Sequence, residues 1–479
     1  MNLQFVKKFI KKPSLLIAGS GLLAFSFGCE PPSAPPTTGT NLNTNAVAVN
    51  AAPTNASNTT APTKESQAKM PVTLPVLDAL FSEEGFSDEL KTKLQLTDEQ
   101  IEKVKKLSRE SVVGLSENEE NVGSTRAALT RADRQIRDVL GDEKATQFFN
   151  LLEKRWAGEN ETANTDSSGA SSKSGSVPTD TRIVVNAPAY RMDVFQEGKL
   201  VKSYKIGIGY PEFPLPSGMR KADTIIFNPT WTPPDEPWVK GKVEAGKTVK
   251  AGDKLNPLGP IKIPIGLPSL IHGGKAAAKL GGFASHGCVG LTNPQVQDFA
   301  LELGKISGLS LTAEDVKNYE KQKTETKNVK LNKPIPVELR YETIVVEDGK
   351  LKIYRDVYER GTNTEENLRR VLESYGVSFD SLTEPERQKI VAGLKQMAID
   401  ATGNPVEADV NSNGNSNSNA NANTSGNSGK NADSNKSATK DSNSKDASVT
   451  RTVKGKKELS FDLVALKGKG YPAAVALKQ

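Results

Sequence analysis

From Asn411 to Asn423 every second residue is asparagine, and Gly, Ser, Asn and Lys continue to about Ser448. Glu30 to about Ala68 is Pro, Thr, Asn and Ala with almost no charge before Lys64, and Gly158 to Asp180 is rich in Gly and Ser. Such stretches have too few apolar side chains to offset the entropy lost on ordering, so they read as disordered tethers and linkers. The asparagine alternation is not a strand signal, because the intervening positions carry no apolar set to bury. No single core can therefore run through the chain. Its 479 residues have room for about three domains, and the low hydrophobic share, 36%, fits a chain partly outside any core.

Sixty-three Lys+Arg against 57 Asp+Glu leave a net charge of +6. With no basic block and no aromatic-basic face, that diluted charge gives no reason to expect a nucleic-acid partner. Two cysteines and two histidines exclude a disulfide-rich scaffold and repeated zinc-ligand pairs. No metal and no cofactor are expected.

Lys7, Lys8, Lys11 and Lys12 precede an apolar run from Leu15 to Phe27. That run is short for a membrane span and suits a signal peptide. Its end, Ser26-Phe27-Gly28-Cys29, resembles a bacterial lipoprotein lipobox, although Ser26 stands where leucine is usual. The resemblance implies lipidation of Cys29 and a lipid-anchored protein of the cell envelope, on the extracytoplasmic (periplasmic) side.

Helical spacing runs from Leu74 to Trp156. Thr97-Asp98-Glu99-Gln100 has capping-box order, with Ile101, Val104 and Leu107 on one face, then Leu129, Ile136, Val139 and Leu140, then Phe148, Leu152 and Trp156. From Ile183 the pattern turns to strands: Tyr190, Met192 and Val194 alternate, and Gly198 marks a hairpin. A second β stretch runs from Pro336 to Tyr358, with a turn at Asp348-Gly349. Thr364 and Thr383 open two helices lined by Leu368, Val371, Leu372 and Tyr375, and by Ile390, Leu394 and Met397.

The chemistry is concentrated in Ile271-His272-Gly273-Gly274 and Ser285-His286-Gly287-Cys288-Val289-Gly290-Leu291. Both histidines and the only cysteine beyond the leader lie here. A thiolate is the nucleophile, and a neighbouring imidazole can take the thiol proton. Glycines beside both let backbone groups approach a reacting centre. Asn293 is expected to cap a helix with Pro294 at its first position, and Val296, Phe299, Ala300 and Leu303 form an apolar face ending at Gly304. That would place Cys288 just before a helix whose dipole favours negative charge. Lys275 and Lys279, near the motif, could face an anionic substrate, and the simpler reading leaves them solvated.

With these motifs the stretch from about Arg182 to Arg360 resembles the catalytic domain of the YkuD-type L,D-transpeptidases, cysteine enzymes that cross-link peptidoglycan. Ser285-His286-Gly287-Cys288 behind Ile271-His272-Gly273 carries the resemblance. Ile206-Gly207-Ile208-Gly209, Pro216-Ser217-Gly218, Asn228-Pro229-Thr230-Trp231 and Asn256-Pro257-Leu258-Gly259 add to it. It implies Cys288 as nucleophile, His272 as proton donor and acceptor, and the Gly273 carbonyl orienting His272. It further implies the Gly287 and Cys288 N–H groups as oxyanion donors, Ser285 and His286 shaping the loop, and peptidoglycan stem peptides as substrate. The family commonly has arginine two positions after the cysteine; here it is Gly290.

The expected fold class is a mainly β catalytic domain, a compact β-sandwich with a short helix, flanked by small all-α modules and disordered linkers. The expected division is signal peptide 1–28, tether 29–70, helical module 71–157, linker 158–180, catalytic domain 181–360, helical hairpin 361–402, Asn/Ser-rich segment 403–450 and a tail, 451–479, without assigned role. The first function is an exported L,D-transpeptidase working through a cysteine thioester. The alternatives are an L,D-carboxypeptidase or protein-anchoring enzyme on the same fold, and an envelope-binding lipoprotein with a decayed site.

Overall fold

The computed structural model describes residues 68–83, 85–113, 115–116, 124–157, 175–233, 244, 246–266, 269–406, 447–448 and 452–475. The signal peptide with Cys29, the tether up to residue 67, linker residues 158–174 and the Asn/Ser-rich residues 407–446 lie outside them. Among the described residues no helix is long and apolar enough to cross a membrane.

Among the described residues five helices come first: α1 (Leu74–Leu80), α2 (Phe86–Leu94), α3 (Asp98–Val113), α4 (Thr125–Leu140) and α5 (Asp142–Ala157). At Thr97 the capping box forms: the Gln100 N–H donates to Thr97 Oγ1 (3.2 Å) and the Thr97 N–H to Gln100 Oε1 (3.1 Å). The inner stripe of α4 is Ala128, Ala132, Ile136 and Leu140, while Leu129 and Val139 are half-buried. Ala132 shares its core with Phe148, Phe149 and Leu152 of α5, whose large side chains leave room only for a small one there. Trp156's side chain is outside the described set. The module is tied to the β domain by short bonds: Thr73 Oγ1 donates to the Glu212 carbonyl and Thr125 Oγ1 to that of Pro211, both at 2.7 Å.

The strands that follow are β1 (Arg182–Asn186), β2 (Arg191–Gln196), β3 (Lys199–Lys205), β4 (Ile208–Gly209), β5 (Gly218–Phe227), β6 (Ile261–Pro264), β7 (Leu270–His272), β8 (Phe283–Ser285), β9 (Val289–Gly290) and, after two helices, β10 (Lys327–Arg340). Eight form one mixed sheet in the order β9-β7-β6-β5-β10-β1-β2-β3, parallel at β9/β7 and β10/β1 and antiparallel elsewhere. The β2–β3 hairpin turns at Glu197-Gly198, with φ of 50° and 77°, the positive values that a two-residue turn needs.

The expected sandwich is corrected to a curled sheet. Gly207, just beyond β3 at one end of the strand order, exchanges two hydrogen bonds (2.9 and 2.8 Å) with Gly290 in β9 at the other end. The sheet so wraps toward itself, and β4 pairs with β8 across the closure. The helix behind the cysteine is not short: α6 (Asn293–Ser307) has 15 residues and runs past Gly304 to a left-handed cap at Gly308, φ 80°. Val296, Phe299, Ala300 and Leu303 are fully buried against the sheet. Each large side chain there contributes roughly 1.5–3 kcal/mol. Helix α7 (Ala313–Lys321) leads into β10.

Beyond β10 the chain builds a second, smaller sheet. Strands β11 (Ile344–Glu347) and β12 (Lys350–Tyr354) turn at Asp348-Gly349, and the third strand, β13 (Glu458–Asp462), comes from the C-terminal tail. Helices α8 (Glu365–Ser374) and α9 (Glu384–Met397) share one core with it: Ile344, Val346, Leu351 and Ile353 pack with Leu368, Val371, Leu372, Ile390, Leu394, Met397, Phe461, Leu463 and Leu466. Residues 344–354, placed with the catalytic domain on sequence grounds, thus share their core with the helix pair. The tail also reaches the large sheet, where Tyr471 sits edge-on to Phe195 with centroids 5.6 Å apart.

Candidate active site

Strands β7 and β9 are parallel neighbours in the register Ile271↔Val289 and His272↔Gly290. On the other side β6 pairs antiparallel with β7, placing Lys262 opposite His272 and Ile263 opposite Ile271. Side chains alternate across a sheet with period two. Ile263, Ile271 and Val289, all fully buried, therefore share the core face. Lys262, His272 and Gly290 share the opposite face. Cys288, one residue before β9 and across from Leu270, falls on that face too. Strand alternation thus places His272 and Cys288 on one face of the sheet.

His272 is almost wholly buried, with 3% exposure. Its Nδ1 lies 2.7 Å from the Gly273 carbonyl oxygen. A carbonyl only accepts, so Nδ1 carries a proton toward Gly273. Burial pushes its pKa down to about 3; the nearby Lys275 and Lys262 charges add to this, and the Gly273 and Leu258 carbonyls oppose it. Cys288 keeps part of its surface accessible. Burial raises its thiol above the usual value of 9.0, against a Leu270 backbone hydrogen bond and the charges of Lys275 and Lys262. Burial thus favours the uncharged form of each side chain.

The cysteine turn is held from several sides. Ser285 Oγ donates to the Cys288 carbonyl (2.5 Å) and accepts from the Cys288 N–H (3.0 Å). The Cys288 amide, expected as an oxyanion donor, is thus engaged by Ser285. Gly287 has φ +90°, and its carbonyl accepts from Ser269 Oγ (2.9 Å). Its N–H has no hydrogen-bond partner among the described residues. His286 packs edge-on to Tyr210 and Phe213, at 5.0 and 4.8 Å between centroids.

Helix α6 does not start at the cysteine. Its cap is Thr292, whose box with Gln295 is complete, and Val289 to Leu291 separate it from Cys288. Asn293, expected as the cap, is the first helical residue. Its Oδ1 accepts from the Gly274 N–H at 2.7 Å and so ties the helix to the His272 loop. Thr292 takes the cap because Gln295 can reach back to it. Ser269 was not singled out from the sequence; nothing in its neighbourhood signals a bond to Gly287. Lys275 and Lys262 also belong here, while Lys279 is exposed.

Residues 180–305 match the family model of the L,D-transpeptidase catalytic domain, YkuD. Among solved structures, the catalytic domain of an E. faecium L,D-transpeptidase is 16% identical, and the match covers 34% of this chain and 100% of that one with a TM-score of 0.23. An L,D-transpeptidase from Mycobacterium smegmatis is 15% identical over 34% of this chain and 58% of its own, TM-score 0.21. One from Mycobacterium tuberculosis is 14% identical over 33% and 57%, TM-score 0.20. The matched region thus spans little more than half of the two mycobacterial chains. No curated protein matches. At residues 180–305, the segment that holds both His272 and Cys288, the chain carries a domain of the YkuD L,D-transpeptidase catalytic family.

Proposed function

We propose that this chain is an exported peptidoglycan L,D-transpeptidase acting through a thioester on Cys288. The observation that carries the reading is His272 and Cys288 on one sheet face, with Nδ1 of His272 held by the Gly273 carbonyl. Cys288 Sγ attacks the carbonyl carbon between the third and fourth stem residues while His272 Nε2 takes the thiol proton. The charge developing on the substrate oxygen is met by the Gly287 N–H, a donor of a kind worth roughly 3–4 kcal/mol. Collapse breaks the peptide bond, His272 returns its proton to the leaving amine, and the terminal D-amino acid departs. An amine of a neighbouring stem then attacks the thioester, giving its proton to His272, and Sγ leaves and is reprotonated. Atoms and charge balance without a cofactor.

Gly290, where the family commonly has arginine, favours keeping a second acceptor in view. With water in place of the amine, the same site is an L,D-carboxypeptidase. Incubation of the purified protein with tetrapeptide muropeptides separates the two by mass: 3→3 cross-linked dimers in one case, monomeric tripeptide in the other. Cys288→Ala is expected to give neither. Equal product from that variant overturns the thioester reading. Anchoring through Cys29 belongs to the same proposal; Cys29→Ala should move the protein from the membrane pellet to the soluble fraction.

A further inference from the structure

Gly290 faces the same side of the sheet as His272, and the space above it is filled. A Cβ built at Gly290 would lie 2.8, 3.1 and 3.4 Å from Cγ, Cε and Cδ of Lys275. The Lys275 backbone is fixed there by its N–H bond to the Leu291 carbonyl at 3.1 Å. The lysine stem therefore lies across the bare glycine, and a side chain at 290 would have to push it aside. Lys262 approaches the same face from β6, directly opposite His272.

Both lysines are half-buried. No carboxylate among the described residues pairs with either; the one opposite charge that acts on each is the thiolate form of Cys288. An ammonium withdrawn from water without a counter-ion is costly, and two beside one nucleophile are costlier. A bound anion removes that cost and gains charge-assisted hydrogen bonds. Lysine suits this as a compact charge with three donors.

We propose that Lys275 and Lys262 form an anion cradle beside Cys288 that receives a carboxylate of the acyl donor, Lys275 entering through the space left by Gly290. This rests on the transpeptidase reading above for the identity of the donor, but the cradle itself does not. The carboxylate is either the free terminus of the leaving amino acid or one on the retained acyl residue. In both cases the lysines act as substrate-binding residues that select an anionic donor.

The first test needs no stem peptide. The full chain is alkylated with iodoacetate and, separately, with iodoacetamide, and the modification of Cys288 is read by peptide mass spectrometry. The two reagents differ chiefly in charge, so their rate ratio reports the local positive field. Lys275→Met, which fills the same space without charge, should lower the iodoacetate-to-iodoacetamide ratio about tenfold. Lys262→Met should lower it in the same direction, and Lys275→Arg should keep it. If Lys275 only fills space, Met substitutes for it and both reagents change together. A ratio unchanged in both methionine variants overturns the cradle, and Lys262→Met alone decides if Lys275→Met melts early.

The second test uses donor tetrapeptides with the terminal carboxylate free or amidated, and with the retained residue's carboxylate free or amidated. The wild-type kcat/KM should fall on amidation at one of the two positions, and Lys275→Met should erase that preference. No turnover of any peptide rejects the transpeptidase reading, whereas the alkylation ratio still judges the cradle.

Discussion

His272 and Cys288 lie on one face of the large sheet, on segments close in the chain, while the small sheet is closed by Glu458–Asp462, which arrives far downstream of its partner Lys350–Tyr354. The sheet edge holds its groups with backbone bonds and glycine-sized spaces: Gly273 against Val296, Gly290 under Lys275. The small sheet is held by large side chains such as Leu351, Ile353 and Phe461 in one core. Short loops cost little entropy to close, so the edge has small energies to spare for orienting groups. A long closure must be offset by apolar burial. Damage to the edge should therefore appear as rate, and damage to the small sheet as stability.

The largest expected effect tests the second half of that contrast. Phe461 is 6% exposed and packs on Gly393 of α9, where even a Cβ would meet its ring. Phe461→Ala should cost about 3–5 kcal/mol, read by denaturant unfolding or by hydrogen exchange over 344–397. Cys288 alkylation below the melting range should not change. A large change there would show that the two regions are one mechanical unit and would break the contrast.

A smaller effect tests the first half. A Cβ on Gly273 would sit 2.8 Å from Val296 Cγ1 and 3.0 Å from Asn293 Oδ1, so Gly273→Ala must shift the loop whose carbonyl holds His272. Displacement of the base on an ångström scale costs about 100-fold in rate. We expect that loss in kcat/KM with little change in melting temperature. Unaltered turnover would mean that the carbonyl does not orient the ring.

The legibility of the molecule from sequence follows the same division. The closeness of His272 and Cys288 in the chain, the flanking glycines, the apolar face of α6 and the turns at Gly198 and Gly349 depend on local pattern, and the residues show it. The sequence shows Lys275 only as a lysine near the motif; its place over Gly290 has meaning only once β7 and β9 are in register. Thr292 and Asn293 are both good caps, and the choice fell to Gln295, three residues on from Thr292. The curl of the sheet depends on Gly207 meeting Gly290, a long-range event without a sequence mark. The tail strand Glu458–Asp462 has only Leu459 and Phe461 as apolar residues, too few to announce a strand before its partners are known.

The finest distinction concerns pH. Burial lifts the Cys288 thiol above 9.0 and drives His272 down to about 3, so between these limits both partners are neutral. Alkylation needs thiolate, and the thiolate fraction falls tenfold for each pH unit below the thiol pKa. The iodoacetamide rate at Cys288 should therefore rise continuously from pH 6 and still be climbing at pH 9. Peptide turnover needs the neutral imidazole, which is present throughout that range, and so its kcat/KM should stay flat. A thiolate–imidazolium pair would reverse the first result, with alkylation already level near neutrality. The small sheet owes its core to apolar groups that do not titrate, so the two profiles should diverge at the edge while hydrogen exchange over 344–397, corrected for intrinsic rates, stays constant. A plateau in alkylation between pH 6 and 8 would mean that the edge stores an ion pair after all, and the proton transfer proposed for the attack would have happened before substrate arrived.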